Sequence, residues 1–169
     1  FEAKIKINQN ENPYEMPAPI KSAVEKVMAR RLWSRYPPFF PEELAKRLAV
    51  FSGWQREGIL VGNGSNELIQ AVLLVTVEKG KRVVFPQPTF TLYKLMTTIL
   101  GGDCDEVYLT AGLRFDVPKL LVAVQSADVT ILCTPNNPTG TALTLDELRQ
   151  ILRVARGLVI VDEAHHLKN

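Results

Sequence analysis

The sequence predicts an α/β fold in which a mostly parallel β-sheet carries helices on both faces. Short runs rich in β-branched and aromatic residues alternate with segments in which apolar residues recur at helical spacing. Two of the runs, 129–133 and 158–161, are almost continuously apolar, which is typical of strands buried on both faces. Strands that alternate with helices are connected by crossovers and therefore become parallel.

The predicted elements follow in order along the second part of the chain. The strands are 83–85, 107–109, 129–133 and 158–161, and the helices are 65–78, 89–100, 116–125 and 144–155. The last helix has a clear start, because Thr144 is followed three residues later by Glu147 and the two form a capping box.

The first part of the chain predicts a different organisation. Residues 1–16 read as an extended arm, and 17–32 and 41–52 read as two helices. Between these helices, three prolines from Tyr36 to Pro41 exclude regular structure.

Composition and charge exclude several classes of protein. The chain has 169 residues, of which 46% are hydrophobic and 22% charged, as in a globular protein of about one domain. A net charge of +2 gives no general basis for nucleic-acid binding. No apolar stretch approaches the roughly 20 residues of a membrane span. Cys104 and Cys133 lack a metal-ligand or CxxC spacing, which indicates buried thiols in a reducing compartment, so we expect a cytoplasmic protein without metal.

In open α/β sheets, ligands bind beyond the carboxyl ends of the strands, so the residues after each strand are candidates for a site. After 129–133 comes the run Thr134-Pro135-Asn136-Asn137-Pro138-Thr139-Gly140. Its prolines and glycine fix a turn in which a side-chain amide can donate to a phenolate or carbonyl oxygen. The alternative is an Asx-turn that only connects a strand to a helix.

A carboxylate follows the last predicted strand. Asp162 at the end of a buried strand is costly unless a cation or strong donors meet it, and a protonated pyridine nitrogen is such a cation. The alternative is an N-cap for a following helix.

An anion site is predicted where Gly62-Asn63-Gly64-Ser65-Asn66-Glu67 leads into an apolar helix. Free backbone N–H groups, the Ser65 hydroxyl and the helix dipole converge there, as phosphate binding requires. The alternative is an ordinary turn with Ser65 as the helix cap.

These features occur in the chain order of pyridoxal-phosphate-dependent aminotransferases of fold type I, and the sequence resembles the histidinol-phosphate aminotransferases among them. The resemblance covers nearly the whole chain. Its motifs are Asn10–Tyr14, Arg35-Tyr36-Pro37, Gly62–Ile69, Pro88-Thr89-Phe90, Pro135–Gly140 and Val161–Ala164.

The resemblance implies roles for individual residues. Ser65 and Asn66 hold the cofactor phosphate, Asn137 bonds the 3′ oxygen, and Asp162 keeps the pyridine nitrogen protonated. Phe90 stacks on the ring where the family often has Tyr; its alternative is a core aromatic.

The resemblance also implies a homodimer. Tyr36 reaches the neighbouring subunit's cofactor and Tyr14 lines the substrate pocket, although both read equally as loop aromatics. It further implies an arm and first helix, 1–41, that contribute to small-domain and dimer contacts, and an incomplete cofactor-binding large domain, 42–169.

The sequence departs from the family pattern in two places. His165 stands where the family has a Tyr that bonds the cofactor oxygen; the alternative for His165 is a polar exit from the strand. The Schiff-base lysine that the family carries downstream has no counterpart, because Lys168 follows Asp162 too closely. Without that lysine we expect the chain to be inactive by itself. Because it has no initiating Met and ends directly after an apolar strand-like run, we also expect it to be cut at both ends. In the family, strands that follow Asp162 insert between a strand near 59–61 and strand 158–161, so we expect the latter to have an open edge.

Three other functions compete with transamination of histidinol phosphate with 2-oxoglutarate. Asp162–His165 spells the magnesium motif of helicase motors, but the chain lacks the lysine-bearing phosphate loop that such motors need. The second alternative is a threonine-phosphate decarboxylase, which shares the sequence motif at residues 133–140. A non-catalytic piece that serves for assembly or binding is the third.

Overall fold

A computed structural model describes residues 10–12 and 14–166. Asn8 of the predicted arm and Lys168 lie outside the described residues. The chain divides into two compact units, one up to Glu42 and one from Glu43 onward.

Among the described residues that precede α2, the first unit contains one regular element, helix α1 (Ala18–Arg30). Proline in its first turn fits a helix start, and Arg31 is extended, so the helix is shorter than the predicted 17–32. None of its side chains is buried. The proline-rich segment that follows has no regular structure, as predicted.

The second unit begins within helix α2 (Glu42–Ser52) and holds the sheet. Its further elements are α3 (Ser65–Thr76), β1 (Arg82–Gln87), α4 (Leu92–Ile99), β2 (Asp103–Tyr108), α5 (Val117–Ala123), β3 (Val129–Cys133), α6 (Leu145–Val154) and β4 (Leu158–Asp162). All pairs of neighbouring strands are parallel, and their order is β2-β1-β3-β4. The predicted α/β class with a parallel sheet is confirmed.

Alternate residues of the strands point to opposite faces of the sheet, and each face has its own core. Phe85 of β1 and Ile131 of β3 pack with α3 and α4 on one face, which we call the α3/α4 face. Val84 of β1 and Leu132 of β3 pack with α5 and α6 on the other. The predicted placement of helices on both faces is therefore confirmed.

The observed bounds differ from the predicted ones where tertiary contacts intervene. α4 begins at Leu92 and not at 89, because Thr89 and Phe90 belong to the connection that leaves β1. β2 begins at Asp103 and not at 107, because its backbone pairs with β1 from Asp103 onward. Cations offset its acidic side chains: Arg82 contacts Asp105 and Lys94 contacts Glu106. The capping box of Thr144 and Glu147 is present.

The predicted strand near 59–61 is wrong. Ile59 is extended, but a strand needs a hydrogen-bonded neighbour, and within the described residues 59–61 pair with no strand of the sheet. β4 pairs only with β3 in the same part of the chain, so its other edge is open, as predicted.

Candidate cofactor site at the carboxyl edge of the sheet

The carboxyl ends of the parallel strands meet at one edge of the sheet, where most of the predicted site residues lie. β1 ends at Gln87, β3 at Cys133 and β4 at Asp162. α3 packs on β1 and is joined to it by a short turn, so it runs antiparallel to β1 and its first residue lies at the same edge. The fold thus brings together the ends of the segments that carry Ser65, Asn66, Phe90, Asn137 and Asp162.

Asp162 is a buried carboxylate that is held by two neutral donors. Asp162 is only 8% exposed to solvent. The Tyr93 hydroxyl donates to Oδ2 at 2.7 Å, and the backbone N–H of Ala164 donates to Oδ1 at 3.0 Å. Both of these donors are neutral groups. A turn, not a helix, follows at 164–165, so the alternative in which Asp162 caps a helix is wrong.

Tyr93 is a donor of fixed protonation state. Burial raises the pKa of its hydroxyl far above the ordinary value, and the neighbouring Cys133 and Asp162 raise it further. The phenol therefore stays protonated and donates to the carboxylate. Its ring meets Phe90 edge to face, with centroids 5.7 Å apart.

The two adjacent asparagines of the turn after β3 have different surroundings. Asn136 is buried, and its amide donates to the Pro88 carbonyl at 3.0 Å and to Thr139 Oγ1 at 2.8 Å. Its Oδ1 accepts from the Thr89 hydroxyl at 2.6 Å. Asn136 therefore ties the turn after β3 to the connection after β1.

Asn137 is half-buried, and its side chain makes no hydrogen bond to any described residue. Its amide is free to bond a ligand. The structure thus separates the two amides that the turn chemistry alone leaves equivalent, and it leaves available the one that the resemblance implies.

The turn before α3 presents an uncapped helix start. Gly64 is the N-cap residue, with φ of 83° and ψ of 172°, a conformation that is essentially restricted to glycine. No side chain caps the helix, so the alternative in which Ser65 is its cap is wrong. The first N–H groups of a helix have no partner within it, and Ser65 and Asn66 hold the first two. The Glu67 carboxylate accepts from the Asn63 N–H and closes the turn.

The remaining predicted residues are exposed. His165 lies in the turn after β4. Tyr14, 81% exposed, and Tyr36, fully exposed, belong to the first unit. Their predicted contacts with cofactor and substrate stay predictions.

Sequence reasoning missed three residues that support the site: Tyr93, Thr89 and Asn136. Thr89 stands inside a motif that the resemblance identifies, and Asn136 stands beside Asn137, so a signal existed for both. Tyr93 has the weakest signal, namely its position one helical turn after Phe90.

The donors and acceptors of this edge fit pyridoxal phosphate. Buried Asp162 accepts from two neutral donors, and a carboxylate has further acceptor positions that suit a protonated ring nitrogen. The uncapped start of α3 suits a phosphate, and the free amide of Asn137 suits a phenolate oxygen.

Residues 10–12 and 14–166 lack two other kinds of feature. They contain no group of three or more His, Cys, Asp or Glu placed to hold a metal ion. They also contain no helix whose length and apolar character would allow it to span a bilayer.

Several aminotransferases are similar to this chain. A histidinol-phosphate aminotransferase from Chlorobium phaeovibrioides is 39% identical over 166 residues, which are 97% of this chain and 46% of that protein. One from Prosthecochloris aestuarii is 37% identical over the same share of both. The chain thus spans about half the length of the curated relatives it matches.

Solved structures agree with this fold. The histidinol-phosphate aminotransferase of Sinorhizobium meliloti, in complex with pyridoxal-5'-phosphate, matches with a TM-score of 0.77 and 26% identity over 88% of this chain and 41% of that one. The N-succinyldiaminopimelate aminotransferase of Mycobacterium tuberculosis matches with a TM-score of 0.82 and 27% identity over 92% and 44%.

The sequence profile described as aminotransferase class I and II matches residues 2–167. The match includes Asp162–His165, which removes the helicase interpretation of those residues. The family uses pyridoxal phosphate, as the resemblance implied. On the strength of this match and of the shared fold, the chain belongs to the class I and II aminotransferases.

Proposed function

We propose that the full-length protein carrying this sequence transfers the amino group of histidinol phosphate to 2-oxoglutarate with pyridoxal phosphate as cofactor. The observation that carries the proposal is the buried Asp162 carboxylate, which accepts from two neutral donors at the sheet edge where the uncapped start of α3 and the free amide of Asn137 also lie.

Each of these residues has a task. The backbone N–H groups and side chains of Ser65 and Asn66 bind the phosphate at the positive end of α3. Asn137 donates to the ring oxygen, and Phe90 covers one face of the ring. Asp162 accepts the ring N–H and keeps the proton on that nitrogen. When bound, the cofactor supplies an electron sink for the carbanion formed at the substrate Cα.

Proton transfer at the substrate needs a base that these residues do not supply. The lysines of the second unit that the structure describes in ion pairs each have an acidic partner: Lys46 pairs with Glu43, Lys81 with Asp128, Lys94 with Glu106 and Lys119 with Asp116. We therefore propose that the 169-residue chain alone is inactive, and that the catalytic lysine comes from sequence outside it.

The preference for histidinol phosphate is supported by the identity of 34–39% to histidinol-phosphate aminotransferases along nearly the whole chain. The proposed assembly is a homodimer, in which Tyr36 reaches the partner's phosphate and Tyr14 lines the substrate pocket. Both tyrosines are exposed within their unit, as that use requires. A cytoplasmic location stays a prediction.

The test is an assay of the purified full-length protein with histidinol phosphate and 2-oxoglutarate, in which glutamate formation is measured. A matched pair of variants, Asp162→Ala and Asp146→Ala, separates the site from the surface, because Asp146 is an exposed residue of α6 that pairs with Arg149. We expect loss of orders of magnitude in the first and no change in the second. Threonine phosphate is assayed in parallel; carbon dioxide release from it, without glutamate formation, would establish the decarboxylase instead.

A further inference from the structure

The Tyr93 hydroxyl contacts the Asp162 carboxylate, on which the proposed function depends. Tyr93 is in the first turn of α4 and is fully buried in the α3/α4 core. Its hydroxyl donates to Asp162 Oδ2 at 2.7 Å across 69 positions of sequence. It is therefore a long-range contact between α4 and the end of β4.

Packing does not require this hydroxyl. A phenylalanine ring would fill the same space in the core, whereas a buried hydroxyl is costly unless it is hydrogen-bonded. Asp162 is the acceptor that offsets this cost. The tyrosine at 93 is thus explained by the carboxylate and not by the core.

The two donors to Asp162 bind different oxygens, and this fixes the carboxylate plane. Tyr93 holds Oδ2 and the N–H of Ala164 holds Oδ1. The terminal torsion of an aspartate is otherwise broad, so one donor alone leaves the group free to turn about its last bond. An ionised carboxylate has about four acceptor positions. Two are occupied here, and the others keep a defined direction.

Phe90 links this arrangement to the ring that it would cover. Phe90 and Tyr93 meet edge to face at an angle of 82°. Phe90, which would cover one face of the cofactor ring, and Tyr93, which donates to Asp162, thus lie within one turn of the chain.

We propose that Tyr93 is a positioning residue: its hydroxyl orients the Asp162 carboxylate toward the ring nitrogen of pyridoxal phosphate. The proposal rests on the proposed function, since it needs a pyridine ring at this edge. Tyr93 itself does not touch the ring nitrogen and takes up or releases no proton.

The test uses Tyr93→Phe in the full-length protein, with Tyr108→Phe as the matched control. Tyr108 is an exposed tyrosine at the end of β2. Dissociation constants are measured by equilibrium dialysis for pyridoxal phosphate and for its 1-deaza analogue, in which C–H replaces the ring nitrogen. Thermal unfolding without ligand confirms that the variants fold.

Tyr93→Phe should weaken binding of pyridoxal phosphate about tenfold, because preorganisation of the acceptor is lost. It should leave binding of the deaza analogue unchanged, because that ring offers no N–H to Asp162. Tyr108→Phe should change neither constant.

Each other outcome is distinct. If the unaltered protein binds neither ligand, the proposed function fails and this inference fails with it. If the unaltered protein binds pyridoxal phosphate and Tyr93→Phe binds it equally or more tightly, only the inference fails. Equal losses for both ligands would mean a merely structural role and would also overturn it.

If Tyr93→Phe does not fold, the crystal structure of the unaltered protein with pyridoxal phosphate decides. The Tyr93 hydroxyl should stay bonded to one Asp162 oxygen while the ring nitrogen faces a carboxylate lone pair. A Tyr93 hydroxyl that bonds another group in that complex would refute the assignment.

Discussion

Replacement of the two adjacent asparagines after β3 should give opposite results. Asn136 makes three side-chain hydrogen bonds inside the second unit, whereas Asn137 makes none to a described residue. Asn136→Ala should therefore destabilise the protein without a direct effect on ligand contacts. Asn137→Ala should weaken cofactor binding and leave stability almost unchanged.

The magnitude for Asn136 follows from its contacts. Three hydrogen bonds at a net value of about 1 kcal/mol each sum to about 3 kcal/mol. The Thr89 hydroxyl, which is buried and donates to Asn136, loses its acceptor and does not regain water. For Asn137, a half-exposed side chain without such bonds, the expected change is within about 0.5 kcal/mol.

Urea denaturation of the full-length variants without cofactor measures this difference as a shift of the midpoint at constant slope. Cofactor affinity of the folded variants is measured separately by dialysis. The reasoning is refuted if Asn136→Ala costs less than about 1 kcal/mol, the lower end of what an unsatisfied buried group costs. It is also refuted if Asn137→Ala costs as much as Asn136→Ala.

Three further results are expected. Asp162→Ala should lower turnover by orders of magnitude while the circular dichroism spectrum is kept, and unchanged turnover would contradict its role. Gly64→Ala should cost about 1–3 kcal/mol of stability, because its backbone conformation suits only glycine, and should weaken binding of the cofactor phosphate. Gly112→Ala is the control, because Gly112 is not in a positive-φ conformation and its added Cβ would meet only Thr110 Oγ1, at 4.0 Å. The isolated 169-residue chain should give no borohydride-trapped lysine adduct with pyridoxal phosphate and no turnover, and a polypeptide supplying the downstream half should restore both. An adduct at one defined lysine together with turnover by the chain alone would contradict this.

The fold was predictable because the sequence carries strong local signals that the tertiary structure does not override. β3 has the predicted bounds, since a nearly apolar run of five residues, rich in β-branched side chains and bounded by turns, is too short for a helix and favours a buried strand. The capping box fixes the start of α6. β2 lies at the edge of the sheet, and its charged residues interrupt the run of apolar residues that predicts a strand. The predicted strand therefore began four residues late.

The sequence predicted the residues of the candidate site that lie at strand ends and helix starts, but not the residues that hydrogen-bond to them. Asp162 and the turn before α3 follow from the rule that strand ends and helix starts meet at one edge. Tyr93 could not be found in this way, because its partner is 69 positions away and its ring alone predicts a core residue. Nor does turn chemistry distinguish Asn136 from Asn137, because the difference lies in contacts with the connection after β1.

The register of β4 decides whether Asp162 can serve this site at all. Ile160 packs on the α3/α4 face, and Asp162, two residues on, points to the same side, where Tyr93 lies. A slip of one residue would turn the carboxylate to the opposite face. Two bonds fix the register: the Leu158 N–H donates to the Asp128 carbonyl, and the Thr134 N–H donates to the Asp162 carbonyl, both at 2.9 Å.

Gly157 makes that register possible. A Cβ at this position would lie 2.2 Å from the carbonyl oxygen of Asp128, so a larger residue would push the start of β4 away from β3. The close approach at one end of the strand thus determines where the carboxylate stands at the other. Because β4 is paired on one side only among the described residues, its contacts with β3 are the sheet contacts that fix its register and so direct Asp162 toward Tyr93.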